Sequence, residues 1–186
     1  RADAPLEDYR ELVERARKVS GVRGAAAFVI SKAMARVGMR SEGAVLKGIA
    51  LDSARSVLSL GRDLVSGSLD SLRETKDGQY GVVLGKTLAE RLGAKLGDEV
   101  ELMLPGSSQE TSDLEPLSQS FRLVGVFESH MYEYDSTWAY TSMEGAQEIL
   151  RFGDRASGLE IGVDDILPAQ SQPKRPQTGG RSLAEI

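Results

Sequence analysis

Cysteine is absent from the 186-residue chain, and histidine occurs once, at His130. The absence of cysteine excludes disulfide bonds and metal sites with thiolate ligands. The single histidine excludes a metal site built on a histidine pair, and any catalytic triad would have to use His130. The chain also has no apolar run of the ~20 residues that a membrane-spanning helix needs. These absences leave few classes of catalytic or metal site.

Positive charge is also in short supply, because 23 lysines and arginines stand against 28 aspartates and glutamates. The net charge of -5 argues against a nucleic-acid-binding protein, whose phosphate contacts need a clustered basic surface. A content of 40% hydrophobic and 27% charged residues is typical of globular proteins. At ~100–200 residues per domain, the length fits one domain or two small ones. The chain begins at Arg1 with neither an initiator methionine nor a signal peptide, so we expect an excised fragment.

The segment GVVLGKT at residues 81–87 comes close to a nucleotide-binding P-loop. A P-loop has the spacing G-x-x-x-x-G-K-[ST], because the loop needs four residues whose amides wrap a phosphate. Here three residues separate Gly81 from Gly85, and Tyr80 occupies the position of the first glycine. The intervening apolar residues are typical of a buried strand. We therefore predict a strand, a glycine turn and a helix, and no nucleotide site.

Hydrophobic periodicity predicts strands and short helices that alternate along the chain. The first helix begins near Pro5, carries basic residues in its last turn and ends at Gly21. Other helices are predicted from Asp52 to about Leu60, from Thr87 to Leu92 and, with Thr141 and Glu144 as a capping box, through Leu150. Strands are predicted at 28–30, within an apolar stretch at 22–37 whose second part is ambiguous, and at 43–51, 81–85, 98–104, 121–128, 137–141 and 159–163. This order indicates an α/β or α+β protein with mixed sheets.

Acid–base chemistry would have to use the turn that holds His130, Glu128, Glu133 and Asp135. Two carboxylates catalyse such chemistry when their surroundings move their pKa values apart, and the protein would then be an acidic hydrolase. A turn that displays its charges to solvent is the commoner arrangement, and the sequence indicates neither an apolar pocket nor a positioned nucleophile. We predict no catalytic, cofactor-binding or metal-binding residue.

The segment at 105–120, PGSSQETSDLEPLSQS, follows no helix or strand pattern. It is longer than a hairpin between the flanking strands needs, and long loops are usually functional or disordered. Leu114, Pro116 and Leu117 place apolar groups among small polar residues, which favours contact with a partner protein. The alternative is an insertion without a role, because loops lengthen at little entropic cost. The tail from Pro168 onward is rich in Pro, Gln, Ser and Gly and is predicted to be a linker.

Two blocks of sequence resemble the periplasmic domain of the LolC/LolE-type permeases of the lipoprotein-releasing ABC transporter. The first, GVVLGKTLAERLGAKLGDEVELMLP at 81–105, carries Leu-Gly and Gly-Asp pairs that are shared with the wider MacB/FtsX-like superfamily. The second, FRLVGVFESHMYEYDSTWAYTSMEGAQEIL at 121–150, carries Phe-Glu-Ser and Met-Tyr-Glu-Tyr-Asp stretches that are more specific to the lipoprotein-releasing branch. Upstream segments also fit, so the likeness covers about residues 5–165.

The resemblance implies an α+β, MacB-like periplasmic domain inserted between the first two transmembrane helices of an inner-membrane permease. A Porter subdomain would comprise 1–42 and 152–186, with a flexible tail from about 168, and a Sabre subdomain would comprise 43–151. The family has a further N-terminal strand and further C-terminal Porter elements, which we expect to be missing here. The domain would lie on the periplasmic face of the inner membrane of a Gram-negative bacterium.

The resemblance also has implications for catalysis, cofactors, partner subunits and cargo. It would be neither an enzyme nor a cofactor-binding protein, because a separate LolD-like cytoplasmic subunit hydrolyses ATP in this family. A partner permease subunit completes the transporter, and lipoproteins are its cargo. The isolated domain is expected to be a monomer.

In the LolC-type member, a protruding loop called the hook binds the periplasmic lipoprotein chaperone LolA, and by position the hook here would be 105–120. The implied partner-binding residues are Pro105, Gly106, Leu114, Glu115, Pro116, Leu117 and Gln119. The LolC hook has an arginine near its base, whereas Arg122 here lies one residue inside the following predicted strand. Three roles therefore stay open: a LolC-type role that binds a LolA-like chaperone, a LolE-type role that receives lipoprotein from the membrane, and a MacB-like efflux or FtsX-like mechanotransmission role that acts on a periplasmic adaptor or hydrolase.

Overall fold

The computed structural model of the protein describes residues 5–54, 57–73, 78–104 and 117–163. Eight strands and six α-helices are defined within these ranges. The strands are β1 (Val22–Val37), β2 (Arg40–Ile49), β3 (Leu64–Gly67), β4 (Gly81–Gly85), β5 (Glu99–Leu104), β6 (Leu117–Phe127), β7 (Trp138–Ser142) and β8 (Gly158–Val163). The helices are α1 (Tyr9–Arg17), α2 (Leu51–Ala54), α3 (Leu60–Asp63), α4 (Lys86–Leu92), α5 (Tyr132–Thr137) and α6 (Met143–Ile149), and a 3-10 turn covers Leu69–Leu72.

Six of the strands form a closed ring in which each strand pairs with two neighbours. Antiparallel pairs join β1 to β2, β7 to β4, β6 to β5 and β5 back to β1, while parallel pairs join β2 to β7 and β4 to β6. The other two strands add to the ring, since β3 pairs with β6 and β8 pairs with β1. The sheet is therefore mixed, as predicted. It also closes into a small barrel, which the sequence analysis did not predict.

Strand β1 is long enough to belong to two parts of the molecule. Its first part, Val22–Phe28, pairs with β8, and the part from Phe28 onward pairs with β2. Near its end, Met34–Arg36 also pairs with β5 on the other edge. The turn to β2 contains Gly38 at φ +58°, a left-handed conformation that glycine adopts without steric strain.

Side chains from all six ring strands and from α4 fill the barrel interior. Alternate residues of a strand point to the same face, which explains why every second residue is apolar here. The filling residues are Ala35, Ala44, Leu46, Val82, Leu84, Leu88, Ala89, Leu92, Val100, Leu102, Leu104, Phe121, Leu123 and Ala139. Each large side chain buried in this way contributes about 1.5–3 kcal/mol through the hydrophobic effect.

A second apolar cluster covers the first part of β1. Helix α1 packs Tyr9 and Val13 in this cluster, and α6 contributes Ala146. The approach of α6 to β2 depends on Gly48, because a Cβ atom on Gly48 would lie 2.3 Å from the Cβ atom of Ala146. Glycine therefore allows α6 to lie directly against the sheet.

Most of the predicted elements are confirmed, including α1, α4, β2, β4, β5, β7 and β8. The ambiguous stretch at 22–37 is a single strand. The predicted helix from Asp52 to Leu60 is wrong, because the chain there forms two helices of four residues each. Neither β3 nor α5 was predicted, since β3 has only four residues and the charges of α5 are typical of a turn.

The predicted capping box is also wrong in its first residue. The N-cap of α6 is Ser142, whose Oγ accepts a hydrogen bond of 3.1 Å from the backbone N–H of Gly145. Thr141 instead donates its hydroxyl proton to the backbone oxygen of Gly81, at 2.8 Å, and holds β7 against β4. The predicted boundary between 42 and 43 falls within β2, so the division into Porter and Sabre subdomains stays a prediction.

Candidate partner-binding surface at the β5–β6 hairpin

The antiparallel hairpin of β5 and β6 leads into the predicted partner-binding loop. Six residue pairs fix its register, from Glu99 opposite Arg122 to Leu104 opposite Leu117. Leu104 is 1% exposed, and the partly buried Leu117 packs against the barrel core, so the described residues on both sides of the loop contact the core. The residues on either side of 105–116, Leu104 and Leu117, are therefore paired neighbours in the sheet.

The structure describes two of the seven predicted hook residues. Pro105, Gly106, Leu114, Glu115 and Pro116 lie outside the described residues. Leu117 and Gln119 both belong to β6.

The predicted loop is thus four residues too long, since 117–120 are paired with β5. Leu117 does not lie at an exposed apolar tip, because its side chain packs against the core. Gln119 donates from Nε2 to Oε1 of Glu148 on α6, at 3.2 Å. Serine at 118 and 120 obscured this strand in the sequence, because serine is typical of turns and loops.

The outer face of the hairpin carries a network of polar side chains. Ser118 Oγ donates to Oε1 of Glu101 at 2.5 Å, and Ser120 Oγ donates to Glu99. Arg36 of β1 donates from Nε to Oε2 of Glu101, at 2.8 Å. The hydrogen bonds from Ser118 and Arg36 hold the pKa of Glu101 below its ordinary value of 4.5. Glu101 is therefore an anion at neutral pH and links three strands at the base of the loop.

Two methionines lie beside this polar network. Met34 of β1 pairs with Met103 of β5, and Met103 also pairs with Ser118. Met34 is 47% exposed, and Met103 is partly exposed. Methionine is flexible and polarizable, and it is enriched at adaptable protein-binding surfaces. We call Met34, Arg36, Glu101, Met103 and Ser118 the hairpin-base surface.

No local sequence pattern indicates the β1 members of this surface. Met34 and Arg36 join it through the β1–β5 pairing, which connects residues more than 60 positions apart and cannot be read from local patterns. Arg122, the arginine nearest to the loop in the sequence, lies on the same outer face but five residues beyond the start of β6. It is exposed, and its Nη1 donates to the backbone oxygen of Gly97 at 3.4 Å.

The structure assigns structural contacts to the acidic turn. Asp135 is 6% exposed and accepts hydrogen bonds from the backbone N–H and hydroxyl of Ser129, at 2.7 and 2.8 Å. Glu128 accepts a bond of 2.9 Å from Nζ of Lys86. His130 is exposed, at φ +62°. The carboxylates thus serve the packing of α5 and α4, and the geometry supports no catalytic assembly around His130.

The near-P-loop segment contains no phosphate cradle. Strand β4 ends at Gly85 and α4 begins at Lys86, so no loop separates the two elements. The hydrogen bond to Glu128 raises the pKa of Lys86, whose ammonium group therefore has a carboxylate partner. Gly85 is needed for close packing, since a Cβ atom there would lie 2.4 Å from the backbone oxygen of Asp135.

The part of the chain that the structure describes contains neither a candidate metal site nor a candidate membrane-spanning helix. No group of three or more His, Asp or Glu side chains is placed there to hold a metal ion. In the same ranges, no helix has the length and hydrophobicity required to cross a membrane.

Residues 1–170 match the family described as the MacB-like periplasmic core domain. The lipoprotein-releasing system transmembrane protein LolC of Xylella fastidiosa is 33% identical over 163 residues, which are 88% of this chain and 38% of LolC. LolC of Neisseria meningitidis serogroup B is 27% identical over 158 residues, which are 85% of this chain and 37% of that protein. The chain thus spans less than half the length of the curated relatives that it matches.

Solved structures show the same fold. The extracellular domain of the noncanonic ABC-type transporter YknZ from Gram-positive bacteria aligns with a TM-score of 0.60 and 17% identity, over 87% of this chain and 75% of that one. The periplasmic region of MacB from Actinobacillus actinomycetemcomitans aligns with a TM-score of 0.56 and 18% identity, over 88% of this chain and 67% of that one. These likenesses confirm the predicted α+β, MacB-like fold.

Proposed function

Because the chain belongs to the family of MacB-like periplasmic core domains, we propose that it is the periplasmic domain of an ABC transporter permease that releases lipoproteins from the inner membrane. The similarity to LolC over 88% of the chain carries this proposal. The fold by itself would not separate this role from others, because MacB and YknZ share it. The relatives are permease components, which agrees with a domain that is not itself an enzyme.

The transporter would supply the rest of the machinery. Transmembrane helices and a partner permease subunit would hold the domain at the periplasmic face of the inner membrane, and a LolD-like cytoplasmic ATPase would drive it. ATP-driven movement of the transmembrane helices would reach the domain through its Porter-like part, 1–42 and 152–186, and pass to the Sabre-like part, 43–151. Strand β1 supports this coupling, since it pairs with β8 in one part and with β2 and β5 in the other.

We further propose that the loop at 105–116 is a hook that binds a LolA-like lipoprotein chaperone. Its contact residues would be Pro105, Gly106, Leu114, Glu115 and Pro116. Leu117 and Gln119 would hold the returning limb in place, because the first packs in the core and the second bonds to Glu148. The support for this proposal is the continuous register of the hairpin together with the exposed Met34 and the partly exposed Met103 beside it.

Calorimetric titration of the purified domain with the cognate periplasmic chaperone tests the proposal. The expected affinity is micromolar, which corresponds to about −8 kcal/mol. The double variant Leu114→Ser/Pro116→Ser should abolish binding. Leu117 should be kept, because its replacement would disturb the core rather than the contact. Leu96→Ser is a matched control, since Leu96 is 49% exposed and precedes β5, at the end of that strand away from the loop.

The possible results separate the remaining roles. Binding that the loop variant loses and the Leu96 variant keeps would support a LolC-type hook. Binding that survives in the loop variant would move the contact to another surface. If the intact domain does not bind the chaperone, a LolE-type role or a MacB-like efflux or FtsX-like role becomes the better interpretation.

A further inference from the structure

A cavity of about 620 Å³ is lined by residues of α2 and α3, by residues 57–59, and by single residues near the start of β1 and at the end of β2. Most of its lining is aliphatic, namely Ile49, Leu51, Ala54, Val57, Leu58, Leu60 and Leu69. Small-molecule sites typically measure ~300–1,000 Å³ and are lined mainly by apolar side chains with a few polar groups. The cavity has the size and the lining of such a site.

Among the described residues that line this cavity, Arg23 and Arg62 carry a charge. Both are exposed, so they lie where the cavity meets solvent. Within the described residues, neither forms an ion pair or a side-chain hydrogen bond. The nearby carboxylate of Asp63 accepts a hydrogen bond of 2.5 Å from Ser59, and Asp70 has an interaction of its own. Two guanidinium groups are therefore available to an anion at the mouth of an apolar cavity.

A register shift of the kind that a β-bulge produces occurs at Arg23. In the β1–β8 pairing, Val22 is opposite Val163 and Gly24 is opposite Gly162, so Arg23 is the extra residue on β1. Bulges bend a strand locally and re-aim a side chain, and they are treated as built features of a fold rather than as defects.

We propose that this cavity binds a single-chain anionic phospholipid, with its acyl chain against the aliphatic lining and its phosphate between Arg23 and Arg62. The planar guanidinium group donates paired hydrogen bonds that match the geometry of a phosphate. Burial of the chain supplies the non-directional part of the affinity. The site is separate from the loop at 105–116, and the inference does not depend on the chaperone proposal.

Calorimetric titration with lysophosphatidylglycerol, kept below its critical micelle concentration, provides the first test. Saturable binding with one ligand per domain is expected. Lysophosphatidylcholine of the same chain length should bind at least about tenfold more weakly, because its positively charged choline compensates the phosphate charge. Glycerol 3-phosphate, which has the headgroup charge without the chain, should show no binding at the same concentrations.

Substitutions of exposed residues provide the second test, because they leave the core intact. Arg23→Gln/Arg62→Gln should weaken lysophosphatidylglycerol binding about tenfold or more, since each lost contact is a charge-assisted hydrogen bond. Arg122→Gln/Arg151→Gln changes the net charge equally at residues that do not line the cavity and should leave the affinity unchanged. Thermal unfolding should be the same for both double variants.

Three results would overturn the inference. Absence of saturable binding by the intact domain would show that the cavity does not take an acyl chain. Equal losses in the two double variants would reduce the effect to overall charge. Equal affinity for the anionic and zwitterionic lysophospholipids would show that the arginines do not discriminate between the two headgroups.

Discussion

Lys47 is a charged residue that the sequence presents as part of a strand and the structure places in the interior. Its side chain is 5% exposed, and its Nζ donates to Oε1 of Glu160 at 2.5 Å. The Nζ atom also lies 4.9 Å from the centroid of the Phe28 ring and 5.4 Å from that of Trp138. These contacts join β2, β1, β7 and β8 around one ammonium group.

Removing the charge of Glu160 should lower the stability of the domain more than removing the charge of Lys47. In Glu160→Gln the ammonium group stays buried without a counter-charge, which costs ~3–5 kcal/mol in a fully buried pair. We expect about 3 kcal/mol, at the lower end, because the Glu160 side chain is 35% exposed. In Lys47→Met the remaining carboxylate can turn to water and the methionine packs between the rings, so about 1 kcal/mol is expected, mainly from the lost cation–π contacts.

Thermal unfolding followed by far-UV circular dichroism measures these differences. A loss of 1 kcal/mol lowers Tm by ~2–4 °C in a domain of this size, so Glu160→Gln should lower Tm by roughly 6–12 °C and Lys47→Met by roughly 2–4 °C. The double variant Lys47→Met/Glu160→Gln should be more stable than Glu160→Gln alone. The reasoning fails if Lys47→Met is the more damaging change or if the double variant is the least stable of the three.

Two further outcomes are expected. Gly85→Ala should destabilise the domain by about 1–3 kcal/mol in urea unfolding, because its Cβ would lie 2.4 Å from the Asp135 backbone oxygen, while Gly43→Ala, with nothing within 4 Å, should be tolerated; equal effects would contradict the packing argument. The hydrogen bond from Arg10 holds the pKa of Asp154 below its ordinary value of 3.8, so its contribution to stability is present above that pH and lost as pH falls through the lowered pKa. Asp154→Asn should therefore be less stable than wild type at neutral pH, and acid titration of Tm should show the difference shrinking below about pH 4; a constant difference would refute the assignment.

Local patterns predicted the elements whose signal lies within a few residues. Alternation of Val100, Leu102 and Leu104 against polar neighbours identifies β5, and the apolar run that ends at Gly85 identifies β4. The same reasoning missed the start of β6, because the inner residue Gln119 is polar and bonds to Glu148 instead of joining the apolar core. A local pattern cannot supply that distant partner.

The arrangement of the candidate surfaces could not be predicted from the sequence either, because it also depends on contacts between distant residues. Met34 and Met103 become neighbours only because the barrel closes between β1 and β5. Arg23 of β1 and Arg62 of α3 line one cavity, although they are far apart in the sequence. Pairings of this kind depend on the whole topology, whereas the resemblance to LolC-type permeases supplied the fold class and the expected hook.

Because β1 pairs with β8 in its first part and with β2 and β5 in its second, its pairings form at different stages of folding. Its first half pairs with β8, so Ala25 meets Ile161 across nearly the whole length of the described chain. Contacts between residues so far apart in sequence form slowly, because the entropy of closing the intervening loop is lost before the contact stabilises the chain. β1 precedes the other described strands in the sequence, yet it acquires its last described neighbour only after β8 has been synthesised. Until then the edge at Ala25–Ala27 is unpaired, and a nascent chain that stops short of Gly158 presents it to other strands.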